Sequence, residues 1–146
     1  WLMCYMKQFE VIDISGDVGI RAFGKSIEEA FTNAAIGMYS LITNIEGIRE
    51  SRKIIIETQS DSLEGLLVSY LNELIFQFDA YGFIGKGIDI NIFRLEPSPF
   101  LKATVRGEEF NPEKHERKLL IKAATYHKVR IEKVSDIWEI DVIFDI

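Results

Sequence analysis

The sequence has 146 residues, of which 47% are hydrophobic and 27% are charged, and its formal net charge is −6 at pH 7. This composition is typical of one globular domain and excludes a disordered or fibrous chain. The single cysteine, Cys4, excludes an intramolecular disulfide and a cysteine metal cluster.

The strands and helices are predicted in chain order from hydrophobic periodicity and turn residues. Residues 8–13 and 18–24 predict two short strands joined in a hairpin across Ser15 and Gly16. Residues 25–44 carry apolar side chains at helical spacing, and Ser26 with Glu29 forms a capping-box pattern at the start. We therefore expect strand, strand and amphipathic helix in the first third of the chain.

The remaining two thirds predict a second helix among several strands. Asp61 or Ser62 caps that helix, and Gly82 lies beyond its end. The strands are expected at residues 53–59, 86–95, 100–108 and 137–145, with extended chain at 119–134 and an exposed loop before it. The order of elements favours an α+β fold of mainly antiparallel sheets with two amphipathic helices packed on them, as a single domain over residues 1–146. Residues 1–5 are expected to be a disordered or non-native start, because the sequence begins at Trp1 rather than Met and Met6 is a candidate natural start.

The sequence disfavours both membrane insertion and direct binding of nucleic acids. No apolar run approaches the roughly 20 residues that cross a bilayer, so we expect a soluble, cytoplasmic protein without a membrane partner. Because nucleic-acid binding depends on neutralising phosphates with Lys and Arg, an acidic chain is poorly suited to bind RNA or DNA unaided. The basic stretch at residues 114–118, "KHERK", is short and contains Glu116, which indicates a solvated loop.

Carboxylates at the two ends of the chain form a candidate cation site. In the last strand, alternation turns Asp145 away from the core, beside the main-chain carboxylate of Ile146. The same rule turns Asp17 away from the apolar face of the second strand. If the first hairpin and the last strand are neighbours, Asp17 and Asp145 converge. Oxygen ligands of this kind suit calcium, magnesium or manganese rather than zinc.

A simpler interpretation is also possible, and the spacing by itself favours it. In that interpretation Asp13 ends a strand, Ser15, Gly16 and Asp17 make an Asx-type turn, and Asp145 is a solvated tail. The carboxylates would then have no ligand in common.

The other polar residues carry weaker signals. His115 lies in the polar loop and is either a phosphate contact or an ordinary surface residue, whereas His127 reads as a half-buried strand histidine. Lys122 is an isolated cation in an apolar run, for which a salt bridge or a snorkelling side chain is the default. The chain contains no nucleophile elbow, and the glycines at residues 82–87 lack the Walker spacing. No catalytic residue is therefore predicted.

Four stretches of sequence, in the same order, resemble the archease family. They are "FEVIDISGDVGIRAFGKSIEEAFTNAAIGMYSLITN", "SLEGLLVSYLNELIFQFD", "GEEFNPEKHERKLLIKAATYHKVRI" and the terminal "VIFDI". The similarity covers nearly the whole chain, from about Lys7 to Ile146. It is more specific than any single motif.

The resemblance implies an accessory protein rather than an enzyme. Its partner would be the GTP- and manganese-dependent RNA-splicing ligase, whose guanylylation and repeated turnover it promotes during tRNA splicing, with RNA contacted only through the ligase. By position, Asp17, Asp145, Ile146 and Asp13 would bind a divalent cation, calcium first and magnesium or manganese as alternatives. Lys122 matches a lysine important for activity, and His115 is a further candidate for acting on the partner. The oligomeric state is not predicted.

One position departs from the family pattern. The stretch reads Asp13-Ile14-Ser15-Gly16-Asp17, so Ile14 stands where the family usually has histidine. The two aspartates remain, and the implied cation site therefore has no imidazole at this point.

Two other functions compete with this one. A chaperone-like binding module for a tRNA-modifying enzyme, such as a methyltransferase, would use an apolar rather than an acidic surface. A metal-dependent phosphoesterase would need a general base, for which the sequence offers no convincing candidate.

Overall fold

The computed structural model describes residues 7–146. The elements are β1 (Phe9–Ile14), β2 (Asp17–Gly24), α1 (Ile27–Ile42), β3 (Arg52–Gln59), α2 (Leu63–Tyr81), β4 (Phe83–Arg94), β5 (Phe100–Glu109), β6 (Ala123–Ala124), β7 (Arg130–Val134) and β8 (Ile137–Asp145), with a short 3-10 helix at Ile45–Gly47. Two helices and antiparallel strands make an α+β fold, which confirms the predicted class. No helix in this part of the chain is long and apolar enough to span a membrane.

The first hairpin forms where the sequence predicts it. β1 pairs with β2, and the two residues between them, Ser15 and Gly16, both have positive φ, 54° and 89°. A two-residue turn with this geometry matches the right-handed twist of the flanking strands, and glycine adopts it without steric cost. The turn therefore fixes the register of the hairpin.

Both helices begin at a serine that caps free amides. Ser26 Oγ accepts a hydrogen bond from Glu29 N at 3.1 Å, and Ser62 Oγ accepts one from Gly65 N at 2.9 Å. Such caps satisfy donors that have no partner inside the helix. At the other end of α2, Gly82 has φ 71° and ends the helix in the left-handed region.

The strands form two separate sheets. In the first, β8 is central, with β2 and then β1 on one side and β6 and β7 on the other. The second sheet has the order β3-β5-β4. Each helix contacts strands of both sheets, so a single core lies between them. Phe31 on α1 links the helices, because its ring lies 5.8 Å from that of Tyr70 and its carbonyl accepts the Tyr70 hydroxyl.

The segment predicted as extended chain at 119–134 is broken. Only β6 and β7 are strands there, and a turn at His127 and Lys128 separates them, with Lys128 at φ 55°. His127 is exposed in that turn, so the expectation of a half-buried strand histidine is wrong. Alternation of apolar residues could not reveal a turn that contains no glycine or proline.

Candidate functional site

The register of β2 against β8 directs both candidate carboxylates to one face. Gly19 lies opposite Ile143, and two residues further along each strand come Asp17 and Asp145. Residues opposite each other in an antiparallel pair share a face, and alternation carries that face to every second residue. Asp17 and Asp145 are both exposed, on the face of the first sheet that is turned away from α1.

Lys122 and Ile146 lie at the same end of β8. Ala123 on β6 is opposite Asp145, and Lys122 N donates a hydrogen bond to the Asp145 carbonyl at 2.8 Å. Lys122 is exposed and Ile146 is 55% exposed. The structure therefore places the main chain of Lys122 and of Ile146 beside that of Asp145.

Asp13 has a different position and a different contact. It lies opposite Val18, whereas its neighbour Ile14 lies opposite Asp17, so alternation puts Asp13 on the other face of β1. Asp13 Oδ1 accepts a hydrogen bond from Gly16 N at 3.0 Å. This is the turn contact of the simpler sequence interpretation. The structure does not bring Asp13 together with Asp17 and Asp145.

The donor atoms at this end of the sheet suit a hard cation. Within residues 7–146, no three side chains of His, Cys, Asp or Glu are grouped in a metal-binding arrangement. Asp17 and Asp145 form no ion pair with any described residue, and the side chain opposite Asp17 is the half-buried, apolar Ile14. Two carboxylates and main-chain oxygens fit calcium, magnesium or manganese, which take oxygen ligands. Nitrogen or sulfur ligands for zinc are not among them.

An ion-pair network lies on the same face, further along the strands. Asp141 on β8 accepts hydrogen bonds from Arg21 at 2.8 Å and from Arg130 on β7 at 3.0 Å. Arg130 also contacts Glu139 at 2.9 Å. Burial opposes ionisation of Asp141, but the two arginines outweigh it and lower the pKa of its carboxyl. Sequence reasoning missed this network, although Arg21 lies four residues after Asp17 and Asp141 four residues before Asp145, so that alternation puts them on the same faces.

His115 is buried, which corrects the expectation of an exposed loop residue. It is 4% exposed, and its Nε2 lies 3.0 Å from Glu108 Oε2. Its Nδ1 accepts a hydrogen bond from Asn111 N at 2.9 Å, so the proton is assigned to Nε2 and the ring is neutral. In this arrangement His115 cannot contact a phosphate or a partner directly. The loop sequence gives only a weak signal of this, because its other residues are polar and exposed.

Comparison with known proteins identifies the family. The model of the "Archease protein family (MTH1598/TM1083)" matches residues 9–146. Protein archease of Pyrococcus abyssi is 37% identical over 131 residues, which covers 90% of this chain and 92% of that protein. Protein archease of Sulfolobus acidocaldarius is 34% identical over 145 residues, and the match covers 97% of this chain and all of that protein.

Solved structures have the same fold. The solution structure of protein 1598 of Methanobacterium thermoautotrophicum aligns with a TM-score of 0.82 at 31% identity, over 97% of this chain and all of that one. A crystal structure from Thermotoga maritima, described as an archease and possible chaperone, aligns with a TM-score of 0.62 at 22% identity, over 97% and 98% of the two chains. This chain belongs to the archease family.

Proposed function

We propose that this protein is a non-enzymatic activator of the GTP- and manganese-dependent RNA-splicing ligase in the cytoplasm. It would promote guanylylation of the ligase and repeated turnover in tRNA splicing. Family membership supports the proposal. One structural observation carries it, namely the register of β2 against β8 that turns Asp17 and Asp145 to the same exposed face.

A divalent cation would be held by Asp17, Asp145 and the main-chain oxygens of Ile146. Calcium is the first expectation, with magnesium and manganese as alternatives, because all these donors are oxygens. When bound, the cation supplies positive charge that can orient phosphate groups. Asp13 contributes indirectly, since its contact with Gly16 N shapes the turn that precedes Asp17.

The charge of the protein suits a basic partner. The net charge is −6, and Asp17 and Asp145 are unpaired among the described residues, whereas Glu10, Glu132 and Glu139 on the same face are ion-paired with Arg21 and Arg130. A ligase channel that binds RNA and nucleotide is rich in Lys and Arg, so complementary charge favours encounter. In this role, the face that carries Asp17 and Asp145 would contact RNA only through the ligase. Lys122, beside Asp145, would meet the partner at the edge of this face.

Ligase guanylylation measures the proposed activity directly. A time course with radiolabelled GTP and a substoichiometric amount of this protein is compared for wild type, Asp17→Asn, Asp145→Asn and Lys122→Ala. We expect each variant to lose most of the stimulation, because each removes a charge from the proposed contact. Calorimetric titration of wild type, Asp17→Asn and Asp145→Asn with calcium tests the two aspartates independently of the ligase.

Asp79→Asn is the matched control. Asp79 is exposed on α2, outside the first sheet, and its substitution removes the same charge. Folding of every variant is checked by thermal unfolding. Stimulation by all three site variants at the level of wild type and Asp79→Asn would refute the site assignment.

A chaperone-like role is a second candidate, and an exposed aromatic pair favours it. Phe76 and Tyr81 on α2 are 51% and 66% exposed, and their rings are edge to face at 5.9 Å. Exposed apolar side chains of this size can bind apolar segments of a client such as a tRNA methyltransferase. Light scattering of a heated client distinguishes the roles. Here Phe76→Ser and Tyr81→Ser would abolish protection, whereas Asp17→Asn would leave it intact.

A further inference from the structure

A polar groove of about 520 Å³ lies in the second sheet, away from the carboxylates of β2 and β8. It opens where the start of β3 meets the end of β5 and the loop that follows. Its walls include Ser51, Arg52, Glu108, Asn111 and Lys114. The function proposed above makes no use of these residues.

Glu108 is a buried carboxylate in the wall of this groove, and only one of its two oxygens is hydrogen-bonded to a described residue. It is 9% exposed, and its Oε2 accepts hydrogen bonds from Arg49 N at 2.7 Å and from His115 Nε2 at 3.0 Å. No donor among residues 7–146 bonds its Oε1. Oε1 is not one of the buried side-chain atoms that lack a partner, so it is accessible from the groove and can accept a hydrogen bond from a ligand there.

The contacts of Glu108 keep it ionised and fixed in place. The Arg49 amide first, and His115 second, lower the pKa of the Glu108 carboxyl and outweigh the effect of burial. An ionised carboxylate only accepts hydrogen bonds, so Oε1 suits a hydroxyl or amine. The neutral ring of His115 is itself held by Asn111 N, and the carboxylate therefore cannot rotate freely.

Cationic and polar donors line the same groove. In the described structure, the side chains of Arg52 and Lys114 form no ion pair or hydrogen bond, and the same holds for the Ser51 hydroxyl. Asn111 uses its Oδ1 to accept Glu113 N, which leaves its amide NH2 as a donor. Glu109 also lines the groove and is exposed, as Arg52 and Lys114 are, so two carboxylates lie beside the two cations.

We propose that this groove binds a phosphorylated ribose, with the phosphate on Arg52 and Lys114 and a ribose hydroxyl donated to Oε1 of Glu108. Arginine and lysine are the usual partners of phosphate oxygens, and a fixed carboxylate is a usual acceptor for ribose hydroxyls. Phosphate and hydroxyl occur together in a free nucleotide and at the end of an RNA strand. The inference is independent of the cation site and of ligase activation.

Binding is measured by amide chemical shifts of the ¹⁵N-labelled protein. The probes are adenosine 5′-monophosphate, its 2′,3′-dideoxy analogue and a 5′-phosphorylated tetra-adenylate. We expect saturable shifts with the monophosphate at millimolar concentration, and about tenfold weaker binding of the dideoxy analogue, the usual effect of losing a hydrogen bond to a charged group. Tighter binding of the oligonucleotide than of the monophosphate would identify an RNA end as the ligand, and the reverse order a free nucleotide.

Charge-neutral variants test the assignment of residues. Arg52→Gln and Lys114→Gln are each expected to weaken binding about tenfold. Lys25→Gln, an exposed residue before α1, makes the same change in charge and should bind as wild type does. All three change exposed side chains, so each variant should fold.

Three results would overturn the proposal. The first is the absence of saturable binding by the monophosphate. The second is equal binding by wild type, Arg52→Gln and Lys114→Gln. The third is equal affinity for the monophosphate and its dideoxy analogue, which would leave an anion contact without recognition of ribose.

Discussion

Arg21 and Asp141 face each other across β2 and β8, and Arg21 Nε lies 2.8 Å from Asp141 Oδ1. The same carboxylate contacts Arg130 on β7, so one buried acid joins three neighbouring strands. A slip of one residue would turn the side chains of β8 to the opposite faces. The register that satisfies this ion pair is therefore also the register that sets Asp17 and Asp145 on one face.

Asp141→Asn should destabilise the protein at neutral pH. The substitution leaves Arg21 and Arg130 without their shared anion, and we expect a loss of about 2 kcal/mol in the free energy of unfolding, since hydrogen bonds to charged groups contribute on that order. Urea unfolding of wild type and variant measures the difference. Asp79→Asn, at an exposed helix position, should change stability little.

The effect of Asp141→Asn should disappear in acid. The pKa of Asp141 is lower in the folded than in the unfolded protein, so its contribution is complete above the unfolded value of about 4 and is lost as the pH falls through the folded value. Urea unfolding repeated at decreasing pH should therefore show the two proteins converging. A difference that is independent of pH would contradict the assigned ionisation.

Calcium should raise the melting temperature through Asp17 and Asp145. A ligand present at a hundred times its dissociation constant stabilises by about 2.7 kcal/mol. For a chain of this size that corresponds to a rise of roughly 5–10 °C. Scanning calorimetry with calcium or with a chelator should show the rise in wild type and Asp79→Asn. The proposal would be contradicted if Asp17→Asn and Asp145→Asn showed the same rise.

Gly107→Ala should strongly destabilise the second sheet. A Cβ at Gly107 would lie 2.0 Å from the Ile84 carbonyl oxygen and 2.8 Å from Gly85 Cα, so backbone would have to move. We expect a loss of about 3 kcal/mol, at the upper end of overpacking effects. Thermal unfolding measures it. Gly47→Ala, where a Cβ meets nothing within 4 Å, is the control and should remain close to wild type.

His115→Ala should destabilise the protein more than His127→Ala. The first substitution removes the donor to Glu108 and the acceptor of Asn111 N, and it leaves a cavity. We expect a loss of about 3 kcal/mol, as is usual for disrupting a buried polar network. His127 is exposed in a turn, so its replacement should cost little. Equal effects in chemical unfolding would contradict the burial of His115.

Much of the secondary structure followed from local patterns. The pair Ser15 and Gly16 marked the first turn, Ser26 marked the start of α1, and alternation marked the last strand, all as observed. The choice between Asp61 and Ser62 was decided by the structure, in which Ser62 is the cap. These features depend on contacts between residues a few positions apart, so short stretches of sequence contain the necessary information.

The sequence by itself determined the composition of the candidate site, because the residue types and the strand period set which side chains are carboxylates and which of them point outward. Only the tertiary structure decided that β8 lies between β2 and β6 and that the main chain of Lys122 is hydrogen-bonded to that of Asp145. It also decided that Asp13 accepts a hydrogen bond within the turn and that His115 is buried against Glu108. The physical reason is distance along the chain. Arg21 and Asp141 are 120 residues apart, and which residues meet over such a separation depends on how the whole core packs.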